Sequence, residues 1–423
     1  MSVFVKNLRN QSLMPCTNRK ARLMLKQNNA KIINYNPFTI QLLMATGETT
    51  QQCNLGIDSG SKNVGFAITS NDKVILKGEI ELRQDVKDNI TNKRVLRRNR
   101  RNRKTRYREA RWLNRKRKNN WLPPSIQSKI DNQISWIIKF QSLLPNCNLI
   151  IEVGKFDTAK MINPDIKGIE YQHGNLYEYE NKKAFIIARE KNKCQICGKE
   201  YDGFGWHLHH IKQRKDGGSN RVDNLALVHS DCHEDYHLGK LSKFKFKKCR
   251  GYKETSFMNI LRQQIFRRVK CKITYGSNTK IDRNELKLEK THYNDAIAIS
   301  GIKEINKNNN EWLKIKQFRK KKRSLHESIP RKGKSIKGIK NPNTTSKRNS
   351  KNTKYSNGFY LNDKVKVLSK IGWISGFCCG GCYIKDIENN YITLPNKSYK
   401  QVGFKNLELI CHNNNWQYNV IYS

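Results

Sequence analysis

Apolar residues fall into short runs with two spacings, and each spacing predicts an element. Alternating or continuous runs bounded by Gly, Asn or Asp read as strands, and apolar residues recurring every three or four positions read as helices. Residues 1–50 give strand, helix, strand: SVFVKNL, then Thr17 as N-cap of NRKARLMLKQ, then KIINYNPFTIQLL. At 53–70 two apolar runs flank a Gly-rich turn, which predicts a hairpin in a buried sheet, with Asp58 anomalous inside it. Ile126, Ile130, Ile134, Ile137 and Ile138 follow Pro123 and Pro124 at helical spacing, and CNLIIEVGKFD then reads as a buried strand ending near Glu152. Further on, MNILRQQIFRRV predicts a helix, CKITYG a strand and THYNDAIAIS a helix. Beyond 358, runs such as KVKVL, WISGF and NYITL predict a small β domain.

Two segments break the pattern. From Lys93 to Lys118, 15 of 26 residues are Lys or Arg, and no Pro or Gly interrupts them. One long helix is permitted there, and most of its surface must face phosphates or water. Residues 303–357 are rich in Lys, Asn, Ser and Arg with few apolar anchors, so they read as a linker or an arm that orders on binding. The 423 residues leave room for two to four domains. A formal charge of +48 calls for a polyanionic partner. No stretch approaches the roughly 20 apolar residues of a membrane-spanning helix, and the first residues lack the apolar core of a signal peptide. The expectation is a soluble, non-secreted protein without a membrane partner, in a bacterial cytoplasm near the nucleoid or in an organelle. Twelve cysteines in such a chain point to metal binding or packing rather than to disulfides.

Candidate chemistry concentrates between 194 and 237. Cys194-x-x-Cys197 and His229-x-x-Cys232 are two ligand pairs separated by a loop, the arrangement a tetrahedral structural zinc needs. Six of the ten histidines lie within 207–237, among them the His209-His210 pair and His233-x-x-x-His237, with Asn224 between. A purely structural finger is the bland alternative, but it has no use for imidazoles beyond its four ligands. These residues resemble the HNH, or ββα-metal, endonuclease family. The resemblance implies His210 as general base, His209 and His233 as ligands of a divalent ion with His237 as a further one, and Asn224 orienting the base loop or touching the metal.

Asp58 and Glu152 sit in apolar strands, and His292 and Asp295 lie three apart on one helix face. Buried carboxylates are costly unless they hold a cation. Taken singly, each has a structural reading as a turn cap, a strand end or a surface pair. Their order resembles the three split RuvC motifs of an RNase H-like fold, GIDSGSKNVGFAI, LIIEVGKFD and THYNDAIAI, with the HNH module inserted between the second and third.

The whole arrangement resembles the IscB family of transposon-encoded RNA-guided nucleases. SLMPCTNRKARLMLK followed by NPFTIQLL is similar to the family's N-terminal PLMP module, with Ser12 where proline usually stands, and KRVLRRNRRNRKTRYREARWLNR to its arginine-rich bridge helix. The resemblance implies a multidomain α+β and α/β protein: a PLMP-type module (1–50), RuvC part I (51–90), bridge helix (91–120), RuvC part II (121–170), HNH nuclease (171–245), RuvC part III (246–305), basic linker (306–357) and a C-terminal β domain reading a target-adjacent motif (358–423). It also implies Mg2+ or Mn2+ at both nuclease sites, with Asp58, Glu152 and Asp295 as RuvC ligands and His292 beside them. A structured guide RNA would be contacted by Arg97, Arg101 and Arg108, and the double-stranded target DNA would be cut on both strands by a monomeric ribonucleoprotein. Two other readings stay open: an RNA-independent homing-type HNH endonuclease, and a non-catalytic RNA-guided DNA-binding protein. A second zinc site at Cys378, Cys379, Cys382 and Cys411 with His412 stays open too.

Overall fold

The computed structural model describes residues 2–102, 119–213, 218–241, 244–246, 252–306, 310–317, 355–378, 380–395 and 399–422, without the side chains of 96 and 98–102. These residues form two compact units, Met1–Gly154 with Phe257–Ser423, and Lys155–Ser256. The chain is a mixed α/β protein.

The first strands are β1 (Ser2–Lys6) and β2 (Ser12–Thr17), followed by helix α1 (Asn18–Lys26), β3 (Ala30–Tyr35) and β4 (Phe38–Leu42), in the sheet order β2-β1-β4-β3. Thr17 caps α1 by accepting from the Lys20 amide. The expected strand-helix-strand is richer in strands. Ser12–Thr17 pairs along β1, with Leu13 and Cys16 packed on the small core of Val3, Val5 and Ile40. KIINYNPFTIQLL turns back at Asn36–Pro37 to make two strands.

The central sheet begins with β5 (Cys53–Asp58), β6 (Asn63–Ser70) and β7 (Lys73–Glu81). Helices α2 (Val86–Asn102) and α3 (Pro124–Gln141) and strand β8 (Cys147–Glu152) follow. In the smaller unit lie α4 (Lys182–Arg189), β9 (Trp206–His210), β10 (Leu225–His229) and α5 (Ser230–His237). The chain then resumes with α6 (Lys253–Arg268), β11 (Lys272–Thr274), α7 (Gly276–Glu285), α8 (His292–Ile299) and β12 (Glu311–Gln317). The last strands are β13 (Tyr355–Ser356), β14 (Phe359–Tyr360), β15 (Lys364–Val367), β16 (Lys370–Cys378), β17 (Gly381–Lys385), β18 (Gln401–Gly403), β19 (Glu408–Cys411) and β20 (Trp416–Tyr422).

Seven strands share one sheet in the order β11-β8-β5-β6-β7-β12-β20. The middle hairpins are antiparallel, while β8 and β11 run parallel to β5, and β12 runs parallel to β7. The period of two sorts its side chains. Leu55, Ile57, Val64, Phe66 and Ile68 form one core with Ile130, Ile134, Ile137 and Phe140 of α3 and Leu261 and Ile265 of α6. Gly56, Asp58, Gly65, Ala67 and Thr69 alternate with them, and Ala67 packs on Ala296 and Ile297 of α8. Gly56 and Gly65 let α8 approach: a Cβ would sit 2.1 Å from Ala296 O and 2.0 Å from His292 O.

Four segments fall outside the bounds expected for them. Glu311–Gln317, expected within the basic linker, is a strand because Leu313 and Ile315 bury in the central core. Trp416–Tyr422, expected in the C-terminal β domain, pairs with β12 along its full length, and Tyr418 enters the same core. The five-stranded sheet β18-β17-β16-β15-β19 is therefore looped out between two strands of the central sheet. Residues 155–170, expected with RuvC part II, and 246–256, expected with part III, belong to the smaller unit.

Candidate active sites

In the smaller unit β9 and β10 pair with Ala226 opposite His209 and Leu225 opposite His210. Successive side chains leave opposite faces of a strand. His209 therefore meets α5, where its ring packs on His233, Tyr236 and His237, while His210 meets the 218–224 loop. His233 and His237 stand one helical turn apart, and their Nε2 atoms are 3.3 Å from each other. One ring nitrogen from each of His209, His233 and His237 lies within 4.8 Å of the other two. His209 is 2% exposed and its Nε2 has no hydrogen-bond partner. Burial, reinforced by the neighbouring imidazoles, pushes its pKa down to about 4. His233 is lowered by the same two causes. Three imidazoles with converging ring nitrogens, one of them buried and orphaned, are a donor set that fits a divalent cation.

Asn224 is 2% exposed and touches none of these imidazoles by a described hydrogen bond. Its side chain accepts from the Lys212 amide at 2.9 Å and donates to Lys212 O at 3.0 Å and Ser219 O at 2.8 Å. It ties together the two ends of the loop that follows His210. Arg189 braces the same turn by donating to Val222 O and Leu225 O.

The sulfurs of Cys194, Cys197 and Cys232 lie within 4.8 Å of one another. Burial raises the Cys194 thiol, but amides of Cys197, His229 and Ile196 outweigh it and bring the pKa below the usual value. Cys232 is pushed up to about 12, first by burial and then by the neighbouring thiols. Crowded sulfurs that resist ionising together fit a bound cation as their counter-charge. His229, expected as the fourth ligand, lies outside this group of three sulfurs among the described residues, and its amide donates to Cys194 Sγ at 3.4 Å. Its ring packs edge-on to Trp206, with Nδ1 3.5 Å from Asp231 Oδ2.

A second constellation lies on the α8 face of the central sheet. Register aligns Glu152 of β8 with Asp58 of β5, Asp58 with Gly65 of β6, Gly65 with Glu79 of β7, and Glu79 with Lys314 of β12. The row is four strands wide before a lysine ends it. Thr291 caps α8, whose close seat over Gly65 brings His292 Nδ1 to 2.6 Å from Asp58 Oδ2. One turn on, Asp295 pairs with Arg283 of α7 at 2.6 Å, both side chains largely buried. Burial raises the Glu152 carboxyl, and the charges of Asp58 and Asp295 add to the shift against a Thr279 hydrogen bond and Arg283. The hydrogen bond to Asp58 raises the His292 pKa against its own burial. Glu79, absent from the sequence reading, is also raised by burial, and His292 opposes that shift. Arg283 was absent too.

Of the expected RNA contacts, Arg97 is exposed on α2 and donates to Lys93 O; the Arg101 side chain and all of Arg108 lie outside the described residues. Cys378, Cys382, Cys411 and His412 form no metal-sized group among the described residues, and Cys379 lies outside them. Cys382 is buried in the five-stranded core, Cys411 Sγ accepts from Asn36, and His412 pairs with Asp363 at 2.8 Å. Among the described helices none is long and apolar enough to cross a membrane.

Comparison with known proteins gives two family matches. Residues 3–174 match the RRXRR protein model and residues 194–238 the HNH endonuclease model. The type IV methyl-directed restriction enzyme EcoKMcrA of Escherichia coli (strain K12) is 31% identical over 67 residues, covering 14% of this chain and 24% of that protein. A chain in a crystal structure of Streptococcus thermophilus Cas9 in complex with AGGA PAM is similar at 12% identity, over 43% of this chain and 26% of that one, with a TM-score of 0.26. The chain thus spans about a quarter of the length of these relatives. The chain thus carries an RRXRR segment followed by an HNH endonuclease module, the two parts that the resemblance to IscB-like nucleases leads one to expect.

Proposed function

We propose that the chain is an RNA-guided DNA endonuclease with two sites, its HNH site cutting the guide-paired strand and its carboxylate site, read as a split RuvC core, the displaced one. The convergence of buried, unpartnered His209 with His233 and His237 beside His210 carries the reading. At that site His210 takes the proton of the attacking water. His209, His233 and His237 would hold a divalent cation that stabilises charge on the leaving 3′ oxygen. Cys194, Cys197 and Cys232 would hold a structural zinc that keeps hairpin and helix together.

At the second site Asp58, Glu152 and Asp295 would hold magnesium, with His292 orienting Asp58 and Arg283 orienting Asp295. Support comes from a sheet of three antiparallel strands extended by two parallel ones, the RNase H-like order, with the acids on one face. A charge of +48 supplies sequence-independent affinity for RNA and DNA backbones, with Arg97 among the phosphate contacts, and guide pairing would supply the choice of sequence.

The test is cleavage of a strand-labelled duplex by protein purified with its RNA. His210→Ala should cut only the displaced strand and Asp58→Ala only the paired one, and RNase treatment should stop both. Double-strand cutting by either variant would refute the two-site assignment. Cleavage that survives RNase would instead favour an RNA-independent HNH endonuclease.

A further inference from the structure

His210 ends β9, and its ring has one described hydrogen bond, between Nε2 and the side-chain oxygen of Asn220 at 3.0 Å. An amide oxygen can only accept, so the proton of a neutral ring resides on Nε2 and the Nδ1 lone pair is left free. We propose that Asn220 is a positioning residue for His210: it fixes the imidazole tautomer and aims Nδ1 at the attacking water. The proposal rests on His210 being the general base of the HNH site.

The loop is built to hold Asn220 still. Asn224 clamps Ser219 O from below at 2.8 Å, immediately before Asn220. Lys182, the first residue of α4, donates its Nζ to Asn220 O at 3.2 Å. Gly218 admits the tight turn, since a Cβ there would lie 1.8 Å from Lys212 O. Forces therefore pass from buried Asn224 through Ser219 to Asn220 and on to the base. The motif asparagine and the histidine do not touch by any described bond; a second asparagine links them. Beside Asn220, Asn175, Lys182, Arg221 and Val222 line an open cleft of about 470 Å³, so the loop borders space where a strand could lie.

In catalysis the water proton moves to Nδ1 while Nε2–H stays bonded to Asn220. The imidazolium that forms gains from the same acceptor, because a charged donor strengthens the bond. Hydroxide adds to phosphorus as the bond to the 3′ oxygen breaks, that oxygen takes a proton from solvent water, and Nδ1 later returns its own proton to solvent.

The experiment compares wild type, Asn220→Ala, Asn220→Asp and His210→Ala in the full chain with its copurified RNA, following each DNA strand separately. Asn220→Ala should lower kcat on the HNH-cut strand by roughly 10-fold or more, within the about 10²- to 10⁴-fold that a general base contributes, with KM unchanged. Asn220→Asp keeps an acceptor at the same reach and should restore most of the rate. Cleavage of the other strand should not change, which reports an intact fold. Selective 15N labelling of histidine should show His210 as the Nε2–H tautomer in wild type and as a mixture in Asn220→Ala. Equal losses in the Ala and Asp variants, or an unchanged tautomer, would overturn the proposal. If His210→Ala cut both strands at the wild-type rate, the base assignment itself would fall, whatever the tautomer measurement gave.

Discussion

At the residue scale, the imidazole cluster sets a pH limit. His209 has an ordinary value near 6.5 when unfolded and about 4 when folded, so the folded state resists the proton that the unfolded chain accepts. The sign follows: stability is complete above pH 6.5 and drains away as pH falls toward 4, by about 3 kcal/mol for a shift of this size. Thermal melts of the smaller unit between pH 7 and 4, without added magnesium, should show this loss, and His209→Gln should flatten it. Cys194 makes a second case. Structural zinc in small modules is worth about 10–16 kcal/mol, comparable to or larger than the about 5–15 kcal/mol of a whole domain. Cys194→Ser should therefore unfold the unit around its Cys194, Trp206 and Leu227 core. Normal zinc content and a normal melt of that variant would argue against a thiol-bound ion.

The residues that could be read from sequence and those that could not differ in a physical way. The cysteine pair and the paired histidines are rare types at fixed local spacing, so their proximity follows from a hairpin and one helical turn. Glu79 sits in a strand, KVILKGEIE, whose period-two pattern looks like an ordinary exposed face; only the seat of α8 over Gly65 makes it part of a site. Asn220 has the composition of a turn residue, and its role appears only once the strand end has aimed His210 at it. His229 shows the converse: its spacing suits a ligand, but it is both the last residue of β10 and the residue before α5, which turns its ring toward Trp206.

At the element scale, the second site depends on a helix lying flat on glycines. Gly56→Ala would push a methyl group to 2.1 Å from Ala296 O, far inside contact distance. Helix α8 must lift, carrying His292 and Asp295 away from Asp58. Overpacking of this kind costs about 1–3 kcal/mol. The expected result is a folded protein with a lower Tm that has lost cleavage of one strand and kept the other. Loss of both strands together, or of neither, would contradict separate support for the two sites. Strands β5, β6 and β8 and helices α3 and α8 were legible because each carries its own periodicity. Helix α7 was not: its sequence GSNTKIDRNE has one buried residue, Thr279, and is held by its contacts with α8 rather than by an apolar stripe.

At the scale of the whole molecule, charge dominates. Neutralising about 6–10 phosphates would weaken RNA or DNA binding by roughly three to five orders of magnitude between 50 and 200 mM salt. Filter binding at four or five salt concentrations should give a steep negative slope for specific and nonspecific RNA alike, and a shallow slope would count against a backbone-tracking surface. The pairing of β12 with β20 lay beyond sequence reading, because about a hundred residues separate the two strands and each has only a modest apolar alternation of its own. Their register, from Glu311 opposite Tyr422 to Gln317 opposite Trp416, has an engineering consequence. The five-stranded domain leaves and re-enters the molecule through neighbouring strands, like a cassette clipped between two rails. Exchanging 318–411 for the same segment of a relative should therefore preserve the central scaffold, whereas trimming the chain at its end would strip a rail and leave a bare, sticky sheet edge.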